Sequence, residues 1–294
     1  MQIAGFILLC LIWGTTWLAI KITVTSVPPF FGATIRFFAA ALILLFMIML
    51  KRLPFQITRK TLWPLIFSAM LMYLCDYGLI YWGEQHISAG VTAIFFSTFP
   101  LFTAIWSVLF LKNEKLKWNR TGGLVIGFLG IIIVFYDQIA ITQFNLLVIL
   151  SSLAVTVAAA SGAGSVIIVK KHLTHLNAYN LTLYQMVVGI IFLSLFGAAV
   201  EDFGQAVFSP QVILAIAYLG LVGSAFAFVL YYHLLKKMSV ITLSLIIYIT
   251  PIIAIIVDYI IFGEMLHTRS IAGMCVVFIG IALTQVNTSI QNKK

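Results

Sequence analysis

Apolar residues run almost without interruption along this chain, and short polar clusters cut them into ten stretches. These cover roughly residues 3–21, 30–50, 62–82, 89–111, 121–136, 145–168, 180–200, 211–234, 240–262 and 270–287. Most are close to the ~20 residues that an α-helix needs to cross a hydrocarbon core about 30 Å thick. They are apolar throughout, without the alternation over about ten residues that marks a membrane barrel strand. The pattern predicts an all-α integral membrane protein with ten transmembrane helices and no inserted soluble domain. The first stretch lacks a basic lead and a small-residue cleavage site, so it is expected to remain as an uncleaved span.

Composition agrees: 63% of the residues are hydrophobic and 9% charged, against about 25% charged in an ordinary soluble domain. The net charge of +9 would suit a nucleic-acid binder, but the positions of the charges argue otherwise. Lys51, Arg52, Arg59, Lys60, Lys112, Lys115, Lys117, Arg120, Lys170, Lys171, Lys236, Lys237, Lys293 and Lys294 all fall on one side of a ten-span plan. Lys21, Arg36 and Arg269 are the remaining cations, and Glu84, Asp137, Glu201, Asp202 and Glu264 lie toward the opposite side. This is the positive-inside pattern. It places both termini in the cytoplasm, makes the lipid bilayer the partner and removes the need for nucleic acid. Cys10, Cys75 and Cys275 sit within spans as small packing residues, with no disulfide framework.

The spans also repeat. HISAGVTAIFFSTFPLFTAIWSVLFLKNE (86–114) matches KMSVITLSLIIYITPIIAIIVDYIIFGE (237–264) in the positions of Ser88 and Ser239, Pro100 and Pro251, and Glu114 and Glu264. Gly123 and Gly130 repeat as Gly273 and Gly280, Tyr81 as Tyr232, and the pair Lys21 and Arg36 as Lys170 and Gln185. The division is therefore residues 1–144 and 145–294, five spans each. Because five is odd, the second copy enters the membrane from the opposite face, the inverted-repeat plan of alternating-access carriers. Pro100 and Pro251 fall near the bilayer midplane, where each breaks a helix hydrogen bond. Backbone of that kind is tolerated at such depth where it packs in protein or lines a cavity. The duplicated pair points to a central substrate site between the fourth and ninth spans.

These features resemble the drug/metabolite transporter superfamily, and within it the EamA-type ten-span members. IWGTTWLAIK (12–21), PPFFGATIRFFAAAL (28–42), and the two proline-plus-glutamate blocks with their glycine-spaced spans GGLVIGFLG and GMCVVFIG carry the resemblance over essentially the whole chain. It implies a bacterial cytoplasmic-membrane carrier, usually an exporter, with a central cavity lined by spans one to four and six to nine. Spans five and ten would be peripheral. Members export amino acids, nucleosides, other metabolites or drugs, so the resemblance leaves the substrate open. The second half departs from the first at SGAGSVIIVKK (161–171), which has no counterpart of Trp13.

Three ionisable residues lie deep within spans. At ~1.5 Å per residue, Arg36 is roughly 10 Å in from Pro29, Asp76 roughly 12 Å below Glu84, and Asp258 roughly 9 Å below Glu264. A lone charge there costs a few kcal/mol or more, so Arg36 is expected to meet Asp76, Asp258 or both. The cluster would serve as a gate or proton-coupling site, with a structural ion pair as the alternative. Aromatics crowd the same level: Trp13 and Trp17 share a helix face, and Tyr73, Tyr77 and Tyr81 form a stripe next to Asp76. Tyr231 and Tyr248, with Ser97 and Gln185, complete a predicted cavity suited to a small amphiphilic metabolite such as an amino acid. Tyr81 also lies near enough to a span end to serve as an interfacial anchor, as Trp63 and Trp118 do. The glycine-spaced spans five and ten predict close helix contact, either within the chain or as the face of a homodimer.

No nucleotide-binding, zinc-hydrolase, serine-hydrolase or calcium-loop motif is present. His172 and His175 stand beside Lys170 and Lys171, where a metal would be repelled, so neither metal nor cofactor is expected. A membrane-embedded lipid enzyme is the alternative from another class. It would need clustered catalytic residues, whereas His86, His172, His175, His233 and His267 are scattered.

Overall fold

The computed structural model describes residues 2–55, 57–111, 117–143, 145–262 and 267–285, with residues 258–262 described in backbone only. The described residues form ten long helices and no strands. They are α1 (Gln2–Val24), α2 (Pro29–Leu50), α3 (Arg59–His86), α4 (Ala89–Phe110), α5 (Trp118–Val134), α6 (Leu146–Leu173), α7 (Ala178–Val200), α8 (Pro210–Lys237), α9 (Val240–Ser244 continuing as Ile246–Phe262) and α10 (Thr268–Gln285). All but α5 are long and apolar enough to cross a bilayer by themselves, and α5 is a shorter apolar helix. Large apolar side chains such as Phe46, Met49 and Leu195 are exposed on the outer surface of the bundle, as suits a surface that faces lipid.

Short polar residues set where the helices begin. The side chains of Ser88, Asn145, Asn177, Ser209 and Ser239 each accept a first-turn backbone N–H, starting α4, α6, α7, α8 and α9. The start of α2 uses a distant partner. Glu201, just beyond α7, accepts from the N–H groups of Phe30 (2.9 Å) and Phe31 (3.0 Å). Burial raises this carboxyl above the usual carboxylate range, and the two N–H groups partly oppose that.

The inverted repeat is visible in the backbone. Met70–Gly78 in α3 and Leu221–Phe226 in α8 are both wound as π-helix, and their first residues correspond under the duplication. Such turns insert an extra residue per turn and re-aim the side chains beyond them. The breaks in α4 and α9 precede the prolines. α4 stops at Phe96 and restarts at Phe99, and α9 is interrupted at Leu245, with Pro251 inside its second segment. The Thr250 hydroxyl donates to the Ile247 carbonyl (3.4 Å), which the Pro251 ring leaves without its amide partner.

The glycine spacing of α5 and α10 serves internal packing. A Cβ on Gly280 would stand 2.4 Å from the Gly127 nitrogen, and one on Gly123 2.5 Å from the Gly280 carbonyl. The two helices touch backbone to backbone, as small residues permit. Tyr248 of α9 fits over Gly127 and donates to the Leu124 carbonyl (2.8 Å), fastening the pair to the bundle.

Candidate functional site

A cavity lies between the two repeats, lined by α1, α3, α4, α6, α8 and α9. The space open to the centre of a water molecule is about 60 Å³, room for a few waters and too narrow in this conformation for a whole amino acid. Its walls are largely aromatic: Trp13 and Trp17 from α1, Tyr77 from α3, Phe96 and Phe99 from either side of the α4 break, and Phe228 and Tyr231 from α8. Ring centroids lie 5.3 Å apart for Trp13 and Tyr231, and 5.5 Å for Trp17 and Phe96.

Two polar atoms on this wall have no protein partner. The Trp17 indole N–H and the Asp76 Oδ1 are both buried and unpaired. Three other polar lining groups are occupied. Thr16 donates to the Trp13 carbonyl (2.8 Å), Ser244 to the Ile241 carbonyl (2.8 Å), and the Trp13 N–H to the Gly223 carbonyl (3.3 Å). The cavity wall therefore holds at least one unpaired donor and one unpaired acceptor, each costly to leave unmade. Asp76 is carried by the π-wound part of α3 against α6, where a Cβ on Gly162 would stand 2.3 Å from its Oδ2.

Arg36 is fully buried behind this wall. Its guanidinium donates to the Ser224 hydroxyl (2.8 Å), the Gly223 carbonyl (3.4 Å) and the Tyr81 hydroxyl (3.4 Å), and lies 4.9 Å from the Tyr77 ring centroid. It makes no ion pair with Asp76, and among the described residues no carboxylate reaches it. The side chain of Asp258 lies outside the described residues, as do Glu114 and Glu264. Gln185 takes the corresponding position in the second repeat. It donates to the Ser68 hydroxyl (2.7 Å) and accepts from Tyr232, as Arg36 bonds Tyr81.

Of the residues the sequence singles out, the fold brings Trp13, Trp17, Asp76, Tyr77 and Tyr231 together at the cavity. Tyr73 is sealed between Phe37 and Phe228, its hydroxyl unpaired. Tyr81 is fully buried against Arg36 and is no interfacial anchor, whereas Trp63 and Trp118 are 74% and 92% exposed at helix ends. Ser97 donates within its own helix to the Ala93 carbonyl (2.6 Å), Pro100 opens the second segment of α4, and Tyr248 faces α5. α2 and α7, expected in the lining, stand one layer behind it with Arg36 and Gln185.

Pro251 lines a second, wider space of about 520 Å³ between α1, α4, α9 and the facing ends of α5 and α10. Trp17 borders both spaces and is the partition between them. Three features escape the sequence reading. Phe96, Phe99 and Phe228 supply three of the seven aromatic side chains of the wall, and only their neighbourhood to Ser97, Pro100 and Tyr231 could have signalled it. Glu84, which reads as a marker of the outer side, is fully buried. Lys21 and Lys170 form a matched pair of clamps. Lys21 donates to the carbonyls of Glu84 and Ile87 (3.1 Å to the latter), and Lys170 to those of Leu235 (2.6 Å) and Met238 (3.0 Å). Each lysine closes the corner between two helices of its own repeat.

The protein-family model of the EamA-like transporter family matches the chain twice, over residues 1–136 and 149–286. The uncharacterized transporter YoaV of Bacillus subtilis is 27% identical over 278 residues, covering 94% of this chain and 94% of that protein. PagO of Salmonella typhimurium is 29% identical over 296 residues (96% and 91% covered). The uncharacterized inner membrane transporter YedA of Escherichia coli K12 is 28% identical over 283 residues (94% and 87% covered). One crystal structure superposes with a TM-score of 0.80 over 100% of this chain and 99% of that one. At 14% identity it speaks for the fold alone.

Proposed function

Because the chain belongs to the EamA-like transporter family, we propose that this membrane transporter exports a small amphiphilic metabolite bearing an ammonium group, an amino acid or a close relative, by alternating access. The observation that carries this reading is the pairing of free groups in the aromatic cavity: the Asp76 carboxyl as acceptor and the Trp17 N–H as donor. An ammonium group suits a carboxylate set among aromatic faces, where cation–π attraction adds ~1–2 kcal/mol once water is excluded. The indole N–H suits the carboxylate of the same solute. The solute enters from the basic face, taken as cytoplasmic, and leaves through the wider space on the far side of Trp17. Movement of the two repeats, residues 1–144 against 145–294, exposes the cavity to one face at a time. Export follows either a proton gradient or the solute's own gradient.

The second reading is export of cationic drugs, which the same carboxyl and rings favour. The two diverge at Trp17, because a drug cation without a carboxylate has no use for the indole donor. The test is direct binding of amino acids, nucleosides and hydrophobic cations to protein in nanodiscs, for wild type and Asp76→Asn. Binding of amino acids that falls at least about tenfold in the variant supports the reading. Undiminished binding removes Asp76 from the site, and binding of cations alone moves the substrate to the drug class.

A further inference from the structure

Glu84 occupies the last turn of α3, is completely buried, and both of its carboxyl oxygens lack a hydrogen-bond partner. An ionised carboxylate left in such a place carries a desolvation cost that nothing around it offsets. The neighbouring part of α6 deepens the anomaly. It packs against α3 at Gly83, where a Cβ would stand 2.8 Å from the Val155 side chain and 3.5 Å from the Ser151 carbonyl. The Ser151 and Ser152 hydroxyls are also buried and unpaired. The charged groups that reach Glu84 are Lys21 from α1 and Arg36 from α2, and the titratable Tyr81 lies near it on its own helix, while His86 of the same turn lies near Lys21. α4, and the stretch of α6 that packs there, carry no titratable side chain.

Lys21 is near enough to answer a negative charge on Glu84, yet it forms no ion pair with that carboxyl. Its ammonium is held by the Glu84 and Ile87 carbonyls, the open C-terminal end of α3. The second repeat supplies the control. Lys170 grips the carbonyls of Leu235 and Met238 in the same manner, and the residue matching Glu84 there is Leu235 itself. The second repeat thus places an apolar side chain, Leu235, where the first places the Glu84 carboxyl.

We propose that Glu84 is a proton-binding site separate from the central cavity, and that its charge decides where Lys21 is held. With the proton on Glu84, Lys21 caps the α3 carbonyls and ties α1 to the α3–α4 corner. When the proton leaves, the carboxylate draws Lys21 into an ion pair, the carbonyls lose their cap, and the corner loosens. The proton departs to water, and returns from it, through the wider space. Lys21 lines that space together with Asp137, Gln138 and His267. A metal cation is a poor occupant, since Lys21 already places a positive charge beside the site.

Because no transported solute is involved, this proposal can fail while the cavity reading stands, and the reverse. The probe is the proton itself. Infrared difference spectra of the protein in bilayers, titrated over pH, are expected to show a protonated-carboxyl band that Glu84→Gln removes and Asp76→Asn leaves in place. In parallel, hydrogen exchange at residues 84–90, expressed relative to the base-catalysed intrinsic rate of each amide, is expected to quicken roughly fivefold or more as pH rises through that titration in the wild type. It should be flat with pH in Glu84→Gln and fast at every pH in Lys21→Met. A band that survives Glu84→Gln, or corner exchange in the wild type that ignores pH, overturns the proposal. Should Glu84→Gln fold poorly, Glu84→Asp supplies the check. A band moved in pH supports the assignment, and an unmoved one refutes it.

Discussion

Replacing Trp17 with phenylalanine sets stability against binding in a way that few substitutions do. The ring contact with Phe96 (5.5 Å between centroids) is retained in kind, while the buried, unpaired N–H is removed. Leaving a buried donor unmade costs about 1–3 kcal/mol, and the variant recovers that. The smaller ring gives back about 1 kcal/mol in lost packing, a modest amount because Trp17 already borders two open spaces. The net change runs from about zero to 2 kcal/mol in favour of the variant, so its midpoint should match the wild type or rise by roughly a few degrees. Binding moves the other way. A hydrogen bond from the indole to a solute carboxylate is worth about 1.5–3 kcal/mol, so the Kd for an amino acid should rise roughly 10- to 150-fold. Thermal unfolding in nanodiscs, paired with titration of the amino acid identified by flux, measures both. A midpoint several degrees lower with an unchanged Kd would refute the argument, because the N–H would then be serving the fold.

Gly162→Ala drives a methyl group to 2.3 Å from the Asp76 carboxyl, so substrate affinity should fall roughly tenfold or more although residue 162 offers the solute nothing; equilibrium binding checks it. Lys170→Met uncaps the end of α8, and hydrogen exchange at residues 235–239 should rise roughly fivefold. Gly280→Val presses a branched side chain onto the backbone of Gly127 and Gly123. The midpoint should fall by roughly 5 °C or more, while transport per folded molecule stays unchanged, since Gly280, Gly127 and Gly123 line neither the central cavity nor the wider space.

The number of spans and their duplication are written plainly in the sequence, because hydrophobic length and residue spacing are local properties. Which way each side chain faces is not. These helices are apolar on all sides, some against lipid and some against protein, so no amphipathic stripe tells the two apart. That is why Tyr248, which looks like a cavity residue, is found gripping Leu124 of α5, and why Arg36 is met by Ser224 and Gly223 of the other repeat. π-helical turns in α3 and α8 add a further rotation that an ideal 3.6-residue period does not anticipate. Trp13 and Trp17 escaped this difficulty because their spacing fixes them on one face wherever that face points. Glu84 was hidden for the opposite reason. A carboxylate near a span end reads as a topology marker, and only the packing of α6 over Gly83 shows that it is buried.

On the proposed reading, the chain carries an ammonium-bearing amphiphile across a bilayer through the cavity around Asp76 and Trp17. Uptake into proteoliposomes of a panel of amino acids, nucleosides and cationic drugs, with and without an imposed pH gradient, tests it most directly. Saturable movement of at least one amino acid is expected, abolished by Asp76→Asn in vesicles holding the same amount of folded protein. Movement of nucleosides or drugs alone, transport indifferent to Asp76→Asn, or chemical change of the lipid with no solute moved would contradict it.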